Sequence, residues 1–332
     1  MKKWVPITLI VMFVITLCSA CGKAKETDSL VKEDITSKSN INIEHKKLKI
    51  ALVMKTLTNP FFVEMEKGAR KAEADLGIEL LVKTGAKETS IQQQIQIVDE
   101  LIDQKVDAIV IAPGSSTELV NVLKQAQDAN IKIVNIDNRL DIETCKKEGL
   151  KNVPFISVKN DEGAYLSVKE ICDSKDSTPR EAIIFEGIKE AENAQLRKEG
   201  AEKAFGENSN VKIVASESAN WKIDEAYELS KKFFKKYPKT SLIFCANDMM
   251  ALGVVQYIKE NNLKGIKVSG FDDLDDAQKA IKDGFMVSTI DQQAALQGFK
   301  GVETAFKMLN KTTVANEVYV PVKVINKEVL SK

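Results

Sequence analysis

From residue 48 onwards, short apolar runs alternate with longer segments in which apolar residues recur every three or four positions. Short runs are typical of buried strands, and the longer segments are typical of helices with one apolar face. The predicted strands are Leu48–Met54, Glu79–Lys83, Ala108–Ala112, Ile131–Ile136, Phe155–Val158, Ala182–Phe185, Val211–Ala215, Ser241–Cys245, Lys267–Phe271, Met286–Ile290 and Val318–Val324. Predicted helices between them include Ser90–Gln104, Glu118–Asn130, Asp224–Tyr237 and Met249–Asn262. Strand–helix–strand order indicates parallel sheets with right-handed crossovers.

The first strand, loop and helix show the pattern most clearly. Asn59 is a good N-cap, and Pro60 suits the first helical position because its missing N–H has no partner there. One apolar face then follows, formed by Phe62, Met65, Ala69, Ala72 and Leu76. Gly77 is expected to end this helix. Because ligands bind at the carboxyl ends of strands in open α/β sheets, the loop before the helix is predicted to hold half of a small-molecule site.

The first 47 residues do not fit this pattern. Residues 1–21 place two lysines before an apolar run and end in Cys18-Ser19-Ala20-Cys21, the order of a secretory signal. The end of this segment resembles a bacterial lipobox, with Cys21 as the lipidated residue, although Cys18 stands where a leucine is usual. An uncleaved anchor or an ordinary signal cut nearby is the alternative. Residues 22–47 are polar and charge-mixed, which predicts a flexible tether.

Composition excludes several functions. Lysine plus arginine equals aspartate plus glutamate at 48 each, so no net field attracts nucleic acid. The only histidine, His45, lies in the tether, which removes the commonest general base from the folded part. Cysteines 145, 172 and 245 are irregularly spaced and indicate neither a disulfide framework nor a zinc site. We expect no metal, no cofactor and no enzymatic activity.

Polar and aromatic residues recur just after the predicted strands. Each alone is explained by helix capping or core packing. Their recurrence at one edge of successive strands favours a shared site for a neutral, polyhydroxylated ring. Each sugar hydroxyl both donates and accepts, which matches carboxylates, cations and amides, while aromatic rings pack against the C–H faces. A phosphate site would need a glycine-rich loop, and the first loop, KTLTNPFF, has no glycine.

From Leu48 to the C-terminus the chain resembles the periplasmic-type sugar-binding proteins of ABC transporters, in the ribose and allose branch. The resemblance is carried by LVMKTLTNPFFVEM, IVNIDNRLD, SESANW, FCANDMMALG, SGFDD and STIDQQ. It implies the type I periplasmic binding protein fold, an α/β fold with two Rossmann-like lobes of parallel sheets joined by a three-segment hinge. The implied lobes are residues 48–158 plus 293–321 and residues 159–292 plus 322–332.

The same resemblance implies the sugar-binding residues. In the first lobe these are Lys55, Asn59, Phe61, Phe62, Asp137 and Asn138. In the second lobe they are Asn193, Arg197, Trp221, Asn247, Asp272 and Gln292. Lys55 matches the allose-type proteins, and Trp221 offers a broad stacking face, so both favour an aldohexose over ribose. The loop before Arg197, GIKEAENAQLRKEG, departs from the glycine- and serine-rich form that is usual in the family.

The implied function is an extracytoplasmic, lipid-anchored and monomeric binding protein. It would capture a monosaccharide by hinge closure and deliver it to an ABC permease. Alternatives are a sensor subunit that presents ligand to a signalling receptor, a glycosidase using Asp137 and Asp272, and a transcriptional regulator. The regulator would need an N-terminal DNA-binding segment where this chain has an export signal.

Overall fold

The computed structural model describes residues 47–172 and 177–332, and the predictions for residues 1–21, for most of the tether and for Cys21 lie outside them. The strands are β1 (Lys49–Met54), β2 (Glu79–Thr84), β3 (Ala108–Ile111), β4 (Lys132–Ile136), β5 (Phe155–Ser157), β6 (Arg180–Glu186), β7 (Val211–Ser218), β8 (Thr240–Cys245), β9 (Lys267–Ser269), β10 (Ser288–Asp291), β11 (Glu317–Tyr319) and β12 (Lys323–Asn326). The helices are α1 (Pro60–Leu76), α2 (Ile91–Asp103), α3 (Val120–Asp128), α4 (Ile142–Glu148), α5 (Asn160–Ile171), α6 (Glu192–Gly206), α7 (Ile223–Lys236), α8 (Asp248–Glu260), α9 (Asp275–Lys282) and α10 (Ala294–Leu309), followed by a short 3-10 helix, Val329–Ser331.

These strands form two six-stranded sheets. The first has the order β11-β5-β4-β3-β1-β2, and the second has the order β12-β10-β9-β8-β6-β7. All pairings are parallel except β10 with β12, which is antiparallel. The predicted two-lobed α/β fold is therefore confirmed, with one antiparallel edge strand in the second lobe that the sequence pattern did not reveal.

Alternating apolar residues explain why β1 lies inside the first sheet. Ile50, Leu52 and Met54 pack into the core on one face, and Ala51 and Val53 pack into the core on the other. Helix α1 begins as predicted, with the Asn59 side chain accepting from the Phe61 amide, and it ends at Gly77 in a left-handed conformation (φ 67°). This strand-to-helix turn brings the TNPFF segment to the carboxyl edge of the sheet.

One predicted strand was wrong. The apolar run Val318–Val324 forms two strands on different sheets, β11 beside β5 and β12 beside β10. Pro321 interrupts the run, because proline has no N–H to donate to a sheet ladder. A smaller difference concerns β7, which extends three residues beyond the predicted Ala215 to Ser218.

The chain passes between the two sheets three times: after β5, after β10 and between β11 and β12. A small apolar cluster of Val158, Phe271, Ile290 and Val320 lies at these crossings. All four side chains are almost fully buried, so the crossings share one packed core. The exact lobe boundaries given above remain a prediction.

No helix within the described ranges combines the length and the apolar character needed to cross a membrane.

Candidate functional site: a buried cavity between the two lobes

A cavity enclosing about 230 Å³ lies between the carboxyl edges of the two sheets. Twelve residues line it, six from each lobe: Lys55, Asn59, Phe61, Phe62, Glu88 and Asp137 from the first, and Asn193, Arg197, Trp221, Asn247, Asp272 and Gln292 from the second. Eleven of them were predicted from the sequence.

Each lining residue lies in the loop after a strand or in the first two turns of the next helix. Lys55 comes directly after β1 and Asp137 directly after β4, while Trp221, Asn247, Asp272 and Gln292 follow β7 to β10 in turn. In a parallel sheet these carboxyl ends share one edge. The strand order therefore brings together side chains that are far apart in the sequence.

The wall from the first lobe is built around a buried ion pair. Lys55 Nζ lies 2.8 Å from Asp137 Oδ2, and Nζ is 5.6 Å from the centre of the Phe62 ring. Asn59 serves two roles: its Oδ1 accepts from the Phe61 amide (3.0 Å), and its Nδ2 donates to Glu88 Oε1 (2.9 Å). This wall presents a cation, two carboxylates and two aromatic rings to the cavity.

The wall from the second lobe is organised by Arg197. Its guanidinium donates to Asn160 Oδ1 (2.8 Å), Ala246 O (2.9 Å) and Gln292 Oε1 (3.3 Å). The same group lies 3.7 Å from the Phe271 ring centre and 5.5 Å from that of Trp221. Because a guanidinium is planar and forked, it can stack and donate in several directions at once.

Asp272 completes this wall. Its Oδ1 accepts from Gln292 Nε2 (2.6 Å) and lies 3.6 Å from Arg197 Nη1. Burial raises the pKa of Asp272 well above its usual value, and Arg197 opposes that rise. Burial also lowers the pKa of Arg197, against the attraction of Asp272. Hydrogen bonds from a ligand would offset this cost of burying two charges.

Glu88 lines the cavity and was missed from the sequence. It lies in the loop between β2 and α2 and is joined to Asn59. Burial raises its pKa, while the charge of Lys55 and the Asn59 hydrogen bond act in the opposite direction. Its position after the second strand is the same signal that identified the other residues. The segment AKETS has an ordinary loop composition, however, and does not single it out.

Asn138 is the one predicted binding residue that does not line the cavity. Its side chain is fully buried behind the wall. Its Nδ2 donates to Pro113 O (3.2 Å) and Ser116 Oγ (3.3 Å). Its Oδ1 accepts from the backbone N–H of Asn193 in the other lobe (3.2 Å).

Three buried polar atoms of the cavity wall have no hydrogen-bond partner within residues 47–172 and 177–332: Asp137 Oδ2, Trp221 Nε1 and Asn193 Oδ1. Asp137 Oδ2 forms an ion pair with Lys55 Nζ, which leaves the other two. One is a donor and the other an acceptor. Since buried polar groups are nearly always satisfied, these two atoms are available to a ligand.

Several residues at the cavity have a left-handed backbone, which is strained for side chains other than glycine. They are Asp137 (φ 62°), Trp221 (φ 65°) and Asp272 (φ 126°). Tight turns after β4, β7 and β9 are thus what aim these side chains into the cavity. Such strain is concentrated at functional sites.

A larger depression of about 1,520 Å³ lies beside the cavity and shares Phe61 and Asp272 with it. Most of its lining residues are exposed or half-buried, including Glu64, Asp275 and Asp276. It is an open groove, whereas the smaller cavity is enclosed by buried, convergent polar groups. In the described part of the chain, no group of three or more His, Cys, Asp or Glu side chains could hold a metal ion.

Comparisons with known proteins agree with this architecture. Residues 50–313 match the family described as Periplasmic binding protein domain. A D-ribose/D-allose-binding protein of Pseudomonas aeruginosa is 38% identical over 275 residues, which cover 82% of this chain and 85% of the relative. The D-allose-binding periplasmic protein of Escherichia coli is 32% identical over 254 residues, covering 76% and 82%.

Among solved structures, a periplasmic solute-binding protein of an ABC transporter from Actinobacillus succinogenes, with bound D-allose, superposes with a TM-score of 0.81. It is 36% identical, and the match covers 86% of this chain and 99% of that one. With the fold and the family match over most of its length, this chain belongs to the periplasmic binding protein family.

Proposed function

We propose that this protein captures one monosaccharide outside the cytoplasm and delivers it to an ABC permease. The observation that carries the proposal is the enclosed cavity, whose twelve lining residues come equally from two lobes. The names of its relatives, which are sugar-binding transport proteins rather than enzymes, support this class of function.

The chemistry of the wall suits a neutral sugar. Carboxylates accept, Lys55 and Arg197 donate, and amides do both, which matches hydroxyl groups spaced around a ring. Phe61, Phe62 and Trp221 offer flat surfaces to the C–H faces of the ring. Each buried cation has a carboxylate near it, and Glu88 adds a third carboxylate. The wall therefore carries no excess positive charge that would select an anionic ligand.

Within the sugars, we propose an aldohexose such as allose, with ribose as the second candidate. Lys55 and Trp221 favour the hexose. Two relatives named for allose binding and a similar structure that holds D-allose support the same choice.

Capture would require the lobes to separate. Lys55, Asn59, Arg197 and Trp221 are at most 4% exposed, so a ligand cannot reach them through this closed arrangement. The three chain crossings provide the hinge, and periplasmic binding proteins are known examples of hinge closure. A sugar bonded to both lobes would shift the equilibrium towards the closed form that the permease receives.

The N-terminal sequence supports export and attachment of the protein to the outer face of the membrane by a lipid on Cys21. Metabolic labelling with an alkyne fatty acid should modify the wild-type protein and not Cys21→Ala. Label on both proteins, or on neither, would contradict the lipid anchor but would say nothing about the sugar site.

We also propose that the protein is a monomer. Light scattering of the protein lacking residues 1–21 should show a single species of monomer mass.

A thermal-shift screen against pentoses, hexoses and polyols, followed by calorimetry, tests the proposed ligand class. A tight ligand raises the melting temperature by mass action. D-allose is expected to give the largest shift, and no shift with any sugar would overturn the proposal.

Cross-linking in the membrane then distinguishes a permease partner from a signalling receptor. Release of product from aryl glycosides would instead favour an enzyme.

A further inference from the structure

Helix α6 begins without a cap from its own N-cap residue. Ala191 precedes it and has no side-chain oxygen to accept from the first amides. The first turn of a helix leaves its N–H groups without intrahelical partners, and Ser, Thr, Asp or Asn usually accepts from them. Here the acceptors come from the opposite lobe.

Two side chains of the first lobe provide these acceptors. Ser116 Oγ accepts from the Glu192 amide (3.1 Å), and Asn138 Oδ1 accepts from the Asn193 amide (3.2 Å). The Ser116 amide also donates to Glu190 O (3.0 Å). We call Ser116 and Asn138 the interlobe cap.

The interlobe cap is held in position by bonds within its own lobe. Asn138 donates to Pro113 O and to Ser116 Oγ, and its own carbonyl accepts from Asn135 Nδ2 (2.7 Å). Gln94 fixes the start of the same loop through Ala112 O (3.0 Å) and the Gly114 amide (2.8 Å). The two acceptor side chains are therefore preorganised, and they lose little further conformational entropy when the lobes close.

Helix α6 carries two residues of the cavity wall, Asn193 and Arg197. Neither Ser116 nor Asn138 lines the cavity. The caps form only when α6 approaches the first lobe, since the amides of Glu192 and Asn193 face water when the lobes are apart. The bonds therefore stabilise the closed form without contacting the ligand.

We propose that Ser116 and Asn138 are positioning residues that couple lobe closure to ligand retention by capping α6 across the cleft. The inference rests on the proposed function for the identity of the ligand and for the opening of the cleft. Losing one cap should weaken binding about fivefold, the equivalent of a typical N-cap. The change should lie in the dissociation rate, and it should be the same for every sugar bound.

Ser116→Ala tests this, with Ser115→Ala as the matched control. Both serines are buried, but Ser115 Oγ accepts from the Thr117 and Glu118 amides of its own lobe. We expect Ser116→Ala to raise the dissociation rates of D-allose and D-ribose by the same factor. The melting temperature of the free protein should change little, because Asn138 Nδ2 loses Ser116 Oγ but keeps its bond to Pro113 O. Ser115→Ala should lower the melting temperatures of free and bound protein together. Equal affinities in Ser116→Ala and wild type, or a loss confined to one sugar, would overturn the proposal.

A second variant supplies the cap within the helix. Ala191→Ser places an acceptor at the N-cap in both the open and closed forms. In that background, Ser116→Ala should cost less affinity than it does in the wild type. An unchanged cost would mean that Ser116 acts by another route.

Amide exchange separates failure of this inference from failure of the proposed function. If no sugar stabilises the wild-type protein, the proposed function fails. The Glu192 and Asn193 amides of the ligand-free wild type should still exchange more slowly than those of Ser116→Ala, because the cap forms whenever the lobes meet. Equal exchange in the two ligand-free proteins would overturn the interlobe cap.

Discussion

Lys55 Nζ lies 2.8 Å from Asp137 Oδ2, and both side chains are 3% exposed. Lys55 follows β1 and Asp137 follows β4, two strands that β3 separates in the sheet. The pair thus joins two strand ends across one wall of the cavity, where salt and water screen the attraction little. Such a pair stabilises a site mainly because breaking it leaves a buried charge alone.

We predict that Lys55→Met lowers the free energy of unfolding by about 3–5 kcal/mol, because Asp137 is then buried without its cation. Urea unfolding followed by circular dichroism measures this loss. Lys71 and Asp75 form a pair of the same length, 2.8 Å, on the exposed face of α1. Lys71→Met should therefore change stability by at most about 1 kcal/mol. Equal effects of the two substitutions would contradict the role given to burial.

Arg197→Lys should weaken sugar binding by at least ~30-fold, corresponding to ~2 kcal/mol or more. Lysine keeps the charge, but its ammonium cannot stack on Phe271 while donating to Asn160, Ala246 and Gln292. Calorimetry measures the affinity, and circular dichroism checks that the fold persists. Asp272→Ala should likewise remove most affinity. Wild-type binding by either variant would show that the residue does not hold the ligand.

The position of Trp221 depends on Gly187. A Cβ on Gly187 would lie 2.0 Å from Trp221 Cζ2, so Gly187→Ala must displace the indole ring. We expect this variant to lose sugar affinity and to change the tryptophan fluorescence response to ligand. Gly206→Ala is the control, because a Cβ there meets nothing within 4 Å. If Gly187→Ala bound sugar normally, stacking on Trp221 would not contribute to affinity.

Eleven of the residues predicted from the sequence line one cavity because strand ends in a parallel sheet share one edge. Cavity residues that lie one to three positions after β1, β4, β8, β9 and β10 follow from that rule. Glu88 could not, since it lies four residues beyond β2 in a loop whose path depends on tertiary contacts. Asn138 was assigned to the ligand, yet it accepts from the backbone of the other lobe. Closure contacts join two folded surfaces, and no local pattern reveals them.

The division of the run Val318–Val324 between the two sheets shows a similar limit. Hydrophobic periodicity indicates a strand but not the sheet to which it belongs. Pro321 is the local signal for the division, because proline has no N–H to donate to a sheet ladder. Topology, rather than propensity, decides the partner of each half.

Asp248 makes the stability of the protein depend on pH. Burial raises its pKa from 3.8 to about 7, although the Leu274 amide and the Thr289 hydroxyl donate to the carboxylate. Because the folded state binds the Asp248 proton more tightly than the unfolded state does, the contribution of Asp248 to stability is greatest below about pH 4. It falls as the pH rises to about 7, by on the order of 4 kcal/mol.

Asp248→Asn should remove most of this fall in stability, leaving the part due to Asp273, whose pKa burial raises to about 6. Melting temperatures between pH 5 and 8 measure the difference, with the exposed Asp128→Asn as control. If the melting temperature of Asp248→Asn fell with pH as steeply as that of the wild type, another group would cause the pH dependence. Asp272 would be the first to test, because burial raises its pKa as well.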